Sequence, residues 1–237
     1  MNDLSALLES YCSDYGLALN GDQQELCLKH LNLVINKNKV MNLTRILDPS
    51  EAVALHILDS LVLLPYLNLA PEGPFLDMGT GAGFPGIPLA IASSRSAVMI
   101  DSVGKKVDAV NEFISELGLS NCEAVHDRLE IAATNRRASF SAVTARALAP
   151  LPVLIEYAAP FLMHDGLFIV TKGNPDDSEL ASGTKAARIC GLSLVDSKDC
   201  DLPASLGHRQ LYVYKKVSEP SISLPRANGF ARKNPLA

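Results

Sequence analysis

A glycine-rich loop between a short apolar run and a helix-like segment limits most strongly how this chain can fold. The loop reads Gly-Thr-Gly-Ala-Gly-Phe-Pro-Gly over residues 79–86 and follows the apolar run at 75–78. Glycines in such a loop permit positive φ angles and let a ligand approach the backbone closely. A strand, such a loop and then a helix are typical of α/β proteins that bind a nucleotide-like ligand.

Short apolar runs and amphipathic segments alternate along the chain from residue 73 onward. The pattern predicts strands over 75–78, 97–101, 122–126, 140–144, 166–171, 192–195 and 210–217, and helices over 85–93, 105–117, 151–162 and 177–190. This alternation indicates an α/β fold with a mostly parallel, seven-stranded sheet covered on both faces. The last strand follows its predecessor without room for a crossover helix, so we expect it to be antiparallel.

The regions that flank this alternating segment differ from it in pattern. Residues 1–72 are predicted to form an N-terminal helical extension, in which Asp22 and Asp48 are expected N-caps and Pro65 helps to end a helix. Residues 73–217 form the predicted α/β domain, and residues 218–237 a basic C-terminal tail.

Composition and charge indicate the environment of the chain but leave its partner undecided. The net charge of −5 disfavours a nucleic-acid partner, whereas basic residues cluster near the start and at the end of the chain. The 5 cysteines form no Cys-x-x-Cys pair, which indicates reduced thiols without a disulfide framework or zinc site. A basic leader is not apparent, and polar residues interrupt the apolar stretch at 53–67. We expect a cytoplasmic monomer without a membrane span or a metal.

Two glycine frames in the loop fit different cofactors, and Asp77 distinguishes between them. The glycines at 81, 83 and 86 match a dinucleotide fingerprint, whereas the other frame begins at Gly79 and follows Asp77. The Asp77 carboxylate would repel a pyrophosphate but attract the ammonium group of S-adenosylmethionine. Asp101 can accept hydrogen bonds from the ribose of either cofactor. We therefore expect S-adenosylmethionine at Asp77, Gly79, Gly81 and Asp101.

The acceptor of the methyl group is predicted to be a ring nitrogen such as guanine N7. A pyrimidine carbon requires a nucleophilic cysteine, and an exocyclic amine usually requires an Asn/Asp-Pro-Pro-aromatic loop; neither pattern is found in the sequence. A free N7 lone pair needs mainly positioning and desolvation. Arg128, Arg146 and Lys172 follow the third, fourth and fifth predicted strands, where they can frame the base or its phosphates. Each of them could instead form only a local salt bridge.

Motifs along nearly the whole chain resemble one family, the bacterial small-subunit ribosomal RNA methyltransferase G, also called glucose-inhibited division protein B. They are the glycine loop continuing into Ile-Pro, Asn-Leu-Thr at 42–44, His-Ile-Leu-Asp-Ser at 56–60, Asp-Ser and Gly-Lys-Lys within 101–106, Asp-Arg-Leu-Glu at 127–130, Ala-Arg-Ala at 145–147, Lys-Gly at 172–173 and a Pro-Arg…Lys-Asn-Pro-Leu tail at 225–236.

The resemblance implies a Rossmann-like class I S-adenosylmethionine-dependent methyltransferase. It implies methylation of N7 of guanine 527 in the 530 loop of 16S rRNA, within the small ribosomal subunit or its precursor. It also implies cofactor contacts from Gly79, Phe84, Leu129, Glu130 and Arg146. Glu130 could instead be only the first-turn acid of a helix.

Departures from the family pattern bear on RNA docking. Lys37, Leu55 and Ala227 stand where other members have Trp, Arg and a basic residue. His56 and Asp59 lie three residues apart, and could form a buried pair that braces the core or serve an RNA site. Three other functions stay open: a small-molecule methyltransferase, a nicotinamide-dependent oxidoreductase and a non-catalytic RNA-binding assembly factor.

Overall fold

One seven-stranded sheet organises the chain in the computed structural model, which describes residues 2–237. Its strands are β1 Phe75–Met78, β2 Ala97–Asp101, β3 Cys122–His126, β4 Phe140–Arg146, β5 Leu162–Lys172, β6 Leu192–Asp201 and β7 His208–Lys216. The spatial order is β3-β2-β1-β4-β5-β7-β6, and β7 runs antiparallel to both of its neighbours. The predicted α/β fold with a mostly parallel sheet is therefore confirmed, as is the antiparallel last strand.

Helices cover both faces of this sheet. They are α1 Asn2–Asp14, α2 Gly21–Asn38, α3 Pro49–Ala52, α4 Asp59–Leu61, α5 Leu64–Leu69, α6 Gly86–Ser93, α7 Gly104–Leu117, α8 Leu129–Asn135, α9 Leu151–Ala158, α10 Asp177–Cys190 and α11 Phe230–Lys233. A π-helical turn over Val53–Leu58 joins α3 to α4. The sequence pattern predicted α6, α7, α9 and α10. It indicated the start of α8 only as one interpretation of Glu130, and it missed α11.

Alternate residues of β1 belong to two different cores. Phe75 packs into a cluster that also contains residues of α1, α2, α6 and α7, whereas Leu76 and Met78 belong to a cluster with α9, α10 and the C-terminal segment. Side chains of a strand alternate between faces, so a central strand covered on both faces is mostly apolar, with Asp77 as the polar residue of β1. The N-terminal helices therefore share a core with one face of the sheet.

Two helix boundaries near the N-terminus differ from expectation. Asn20, rather than Asp22, caps α2, because its side chain accepts from the Gln23 N–H while the Gln23 side chain accepts from the Asn20 N–H. Pro65 lies in the first turn of α5 and so begins a helix, since proline lacks only an N–H that this position leaves unpaired. The predicted cap at Asp48 is confirmed by bonds from the N–H groups of Ser50 and Glu51.

The helical stretch Pro49–Leu69 is long and apolar enough to cross a membrane by those two criteria alone. Within the fold, however, 72% of its most apolar window is buried. A mostly buried stretch of this kind is typical of the core helix of a globular domain.

Candidate functional site

The glycine loop turns the chain sharply at the carboxyl end of β1. The Gly79 N–H donates to Ile100 O of β2 at 2.7 Å, and Gly79 has a φ of +71°. A Cβ built on Gly79 would lie 2.6 Å from Leu148 Cδ1, so a larger residue would crowd the Leu148 side chain. This position therefore requires glycine both for its backbone conformation and for the space in front of it.

Asp77 lies beneath the loop with its side chain fully buried. Its Oδ2 accepts from the Gly86 N–H at 2.9 Å, and its Oδ1 accepts from Thr144 Oγ1 at 3.3 Å. Burial raises the pKa of this carboxyl to about 6, against the opposing effect of its hydrogen bonds. Asp77 thus joins the loop to the start of α6, and its contact with a cofactor ammonium group stays a prediction.

Asp101 ends β2 and holds the loop from the other side. Its Oδ2 accepts from the Gly81 N–H at 3.0 Å and its Oδ1 from the Val103 N–H at 2.9 Å. Two backbone donors on one carboxylate orient it and leave lone pairs free toward solvent or a ligand. Asp101 is therefore a fixed acceptor at the carboxyl edge of the sheet.

A first cavity of about 250 Å³ opens beside this carboxylate. It is lined by Gly79, Ile100, Asp101, Ser102, Asp127, Arg128, Leu129, Glu130, Leu148, Tyr157, Gly229 and Arg232. Five of the residues predicted for the site meet here: Gly79, Asp101, Arg128, Leu129 and Glu130. The cavity lies where the strand order reverses next to β1, the usual ligand site of such sheets.

Leu129 and Glu130 occupy the first turn of α8. Glu130 is thus a first-turn acid, as one reading of the sequence proposed, and it also lines the first cavity. Its Oε1 accepts from the Gly229 N–H of the C-terminal tail at 2.7 Å. The two readings of Glu130 are compatible, because the start of α8 forms part of the cavity wall.

A second cavity of about 410 Å³ lies at the ends of β4 and β5. Its lining residues are Ile46, Leu55, His56, Asp59, Arg146, Ala147, Thr171, Lys172, Gly173 and Arg209. The predicted cations are thereby divided: Arg146 and Lys172 lie together on this cavity, and Arg128 lies on the first one. Arg128 donates to Asn228 Oδ1 at 3.1 Å, and Lys172 forms an ion pair with Glu179 at 2.8 Å.

Asp59 is a buried carboxylate held between two arginines. Its Oδ2 accepts from Arg146 Nη1 and its Oδ1 from Arg209 Nε, each at 2.9 Å, and the residue is 2% exposed. Arg146 Nη1 also donates to Leu55 O at 2.7 Å. The three ionic side chains, Asp59, Arg146 and Arg209, form what we term the Asp59 cluster. Its geometry fixes the Arg146 guanidinium at the second cavity.

His56 and Asp59 do not form the direct pair that was one of the two alternatives left open by the sequence. Arg146 takes the Asp59 carboxylate instead, and its Nη2 lies 3.3 Å from His56 Nδ1. The other ring nitrogen of His56 is 2.8 Å from Thr44 Oγ1. Burial and the Arg146 charge lower the pKa of His56 to about 3, so the imidazole is neutral near pH 7.

Phe84 connects the glycine loop to the Asp59 cluster. Its ring stacks on His56 with centroids 4.6 Å apart, and Arg146 Cζ lies 5.7 Å from its centroid. On its other side the ring meets His30 of α2 at 4.5 Å. Of the residues predicted to contact the cofactor, Asp77, Gly81, Phe84 and Arg146 are not part of the first-cavity lining. Phe84 is a buried residue that packs behind His56 and Arg146 of the second cavity.

Arg209, Tyr157, Gly229 and Arg232 line the two cavities without having been predicted for the site. Arg209 and its partner Asp59 are 150 residues apart in the sequence, and Gly229 and its partner Glu130 are 99 residues apart. Local patterns carry no signal for such pairs. The basic end of the chain was the one visible hint.

His30 makes the stability of the loop region sensitive to acid. It is fully buried, its Nε2–H donates to Ala82 O of the loop at 3.0 Å, and burial lowers its pKa to about 3. Because the folded pKa lies below that of the unfolded chain, unfolding takes up a proton below about pH 6.5. The contribution of neutral His30 to the free energy of unfolding is fully present above that pH and is lost as the pH falls toward 3.

When the pH is lowered from about 7.5 to about 5, we therefore expect the free energy of unfolding of the wild-type protein to fall by about 2 kcal/mol more than that of the His30→Gln variant. Denaturant unfolding at each pH measures this difference. Asp77 acts in the opposite sense, because its raised pKa favours folding at low pH and the benefit declines as pH rises toward 6. Its effect is common to both proteins and cancels. Parallel pH curves for the two proteins would contradict the expectation.

Comparison with known proteins places this site in a family. The model of the family GidB, rRNA small subunit methyltransferase G, matches residues 23–211. Ribosomal RNA small subunit methyltransferase G of Desulforamulus reducens is 38% identical over 240 residues, which cover 100% of both chains. The protein of the same name from Lactobacillus helveticus is 36% identical over 241 residues, again covering 100% of each.

Solved structures agree with the fold. A sarcosine dimethylglycine methyltransferase structure from Galdieria sulphuraria matches with a TM-score of 0.55 at 14% identity, covering 67% of this chain and 84% of that one. A geranyl diphosphate methyltransferase in complex with SAM matches with a TM-score of 0.56 at 13% identity, covering 71% and 90%. These structural similarities show the class I methyltransferase fold. The family model and the full-length relatives show the family: the chain belongs to the rRNA small subunit methyltransferase G family.

Proposed function

We propose that this protein transfers the methyl group of S-adenosylmethionine to N7 of guanine 527 in the 530 loop of 16S rRNA. The observation that carries the proposal is the first cavity, which joins the glycine loop, Asp101 and the start of α8 at the carboxyl edge of the sheet. In a member of an rRNA methyltransferase family, such a cavity is the expected place for a methyl donor.

The walls of the first cavity match the chemical groups of the donor. Asp101 offers carboxylate lone pairs to the ribose hydroxyls, and Ile100 and Leu129 offer an apolar surface for the adenine. Gly79 lines the cavity without a Cβ, which allows a ligand to approach its backbone closely. S-Adenosylmethionine supplies an electrophilic methyl on a sulfonium, so no metal is needed for the transfer.

The second cavity suits a guanine or its phosphates. Arg146, Lys172 and Arg209 line it, and guanine N7 and O6 are acceptors that arginine and lysine can address. The N7 lone pair forms the new N–C bond while the C–S bond breaks, so the positive charge passes from the sulfonium to the base. His56 is neutral and adds no cation beside that product. The residues of this cavity thus act mainly by positioning.

A methyl-transfer assay tests the proposal. Radiolabelled S-adenosylmethionine is incubated with the full-length protein and with small ribosomal subunits that lack their native methylations. Cleavage of the RNA at N7-methylguanine then locates the label, and we expect one site, in the 530 loop. Free 16S rRNA and precursor particles, assayed in parallel, show which form of the RNA is the substrate.

The negative results of this assay separate the alternatives. Donor binding without label in any RNA would overturn the ribosomal function and favour a small-molecule acceptor or a non-catalytic RNA-binding role. Fluorescence titration with a reduced nicotinamide cofactor tests the oxidoreductase alternative directly. Saturable binding of that cofactor in place of S-adenosylmethionine would overturn the assignment of the donor.

A further inference from the structure

The C-terminal segment returns to the first cavity and forms part of its wall. Gly229 and Arg232 line that cavity, and we term residues 225–236 the C-terminal clasp. The Gly229 N–H donates to Glu130 Oε1 at 2.7 Å, and Arg232 Nη2 donates to Leu148 O at 3.3 Å. Both acceptors belong to residues that line the same cavity. The clasp thus forms one part of the cavity wall and is bonded to the neighbouring parts.

One buried ion pair anchors the clasp to α9. Arg226 Nε donates to Glu156 Oε1 at 2.6 Å, and its Nη2 contacts Glu156 Oε2 as well. Glu156 is 3% exposed, so its carboxylate depends on this partner. Arg226 also packs over the Phe230 ring, with its Cζ 4.8 Å from the centroid, and donates to Asn234 O at 2.9 Å. This one side chain therefore ties both ends of the clasp to the domain.

Several side chains of the cavity take their orientation from the clasp. Arg128 donates to Asn228 Oδ1 at 3.1 Å, and Glu130 accepts from the Gly229 N–H. A ligand in the cavity therefore meets groups that the clasp holds in place. If the clasp left, Glu130 would lose its N–H partner and the cavity would lose two lining residues.

We propose that the C-terminal clasp is a component of the methyl-donor site and that its docking through Arg226 strengthens donor binding. The inference rests on the proposed function for the identity of the ligand. Arg226 is a positioning residue, since it acts through Glu156 and the clasp. Because coupling between two binding events is reciprocal, donor binding strengthens clasp docking by the same factor.

A basic tail also suggests an arm that binds RNA phosphates. The contacts of the clasp favour the donor site instead, because Arg226 and Arg232 direct their guanidinium groups to protein acceptors. An RNA arm and a clasp differ in what the removal of Arg226 should change. The former predicts weaker RNA binding, and the latter weaker donor binding.

Calorimetric titration of the full-length protein with S-adenosylhomocysteine, a stable analogue of the donor, tests the inference. We expect Arg226→Ala and Arg232→Ala to weaken binding about tenfold. Lys185→Ala removes an exposed positive charge from α10, outside the clasp and the cavity lining, and should leave binding unchanged. In the transfer assay, Arg226→Ala should raise the KM for the donor, while kcat at saturating donor and the affinity for RNA stay close to the wild-type values. Melting temperatures verify that each variant is folded.

Hydrogen exchange of the unmodified protein gives a second test that needs no variant. The amides of residues 227–234 should exchange about tenfold more slowly when S-adenosylhomocysteine is bound. Unchanged exchange would overturn the inference. A loss of RNA affinity in Arg226→Ala with the donor affinity intact would also overturn it and would identify an RNA arm. Failure of the wild-type protein to bind the analogue at all would instead contradict the proposed function.

Discussion

Replacing Asp59 by alanine is expected to lower the free energy of unfolding by about 3 to 5 kcal/mol. The substitution leaves Arg146 and Arg209, whose side chains are 15% and 21% exposed, close together without the carboxylate that both of them contact. Removing one member of a largely buried ionic group costs more than the group contributes as a whole, because the remaining charges stay partly desolvated and lose their partner. Chemical denaturation monitored by circular dichroism measures the loss.

Two variants calibrate this expectation. Asp165→Asn removes the charge of an exposed carboxylate that pairs with Lys215 at 2.8 Å. Asparagine tolerates the positive φ of this position, so the variant should change stability little. Asp59→Asn keeps the shape and one acceptor oxygen, so its loss should be intermediate. An equal, small loss in the Asp59 and Asp165 variants would show that the Asp59 cluster contributes no more than a surface pair.

Replacing Asp101 by alanine should weaken the binding of S-adenosylmethionine about 100-fold, since hydrogen bonds to a charged group contribute about 1.5 to 3 kcal/mol each. The carboxylate is the expected acceptor for the ribose, and it also holds the N–H groups of Gly81 and Val103. Asp101→Asn should lose nearly as much, because its amide NH₂ would face one of those donors. Calorimetric titration with the donor measures the change.

Asp108→Ala is the matched control, since it removes an acid from α7 near the same strand. Its donor affinity should equal that of the wild-type protein. Unchanged donor binding in the folded Asp101→Ala variant would refute the assignment of Asp101 to the ribose and would place the donor elsewhere in the cavity.

The strands that the sequence predicted most accurately are the three shortest. β1, β2 and β3 begin and end as predicted; β1 and β2 are buried throughout, whereas β3 is an edge strand whose residues are partly or fully exposed. β6 continues from Leu192 to Asp201 although only its first four residues were predicted, because nearly all of it is exposed. Its pairing with β7 provides the stability that local apolar pattern does not show.

The residues of the candidate site also differ in how well the sequence predicts them. The glycine loop, Asp101 and the start of α8 are local motifs, and the sequence alone pointed to them. The arginine that accompanies Arg146 at Asp59 comes from β7, and the last wall of the first cavity comes from the end of the chain. Such long-range pairs arise from the order of strands in the sheet, which sequence spacing does not encode.

The placement of the clasp has a consequence for synthesis of the protein. Chains emerge from the ribosome with the N-terminus first, at about 5 to 20 residues per second, and begin to fold as they emerge. The glycine loop and the first strands can thus assemble while residues 225–236 are still being translated. Gly229 and Arg232, which line the first cavity, are translated after every strand of the sheet. The cavity is therefore completed only after the whole sheet that carries it has left the ribosome.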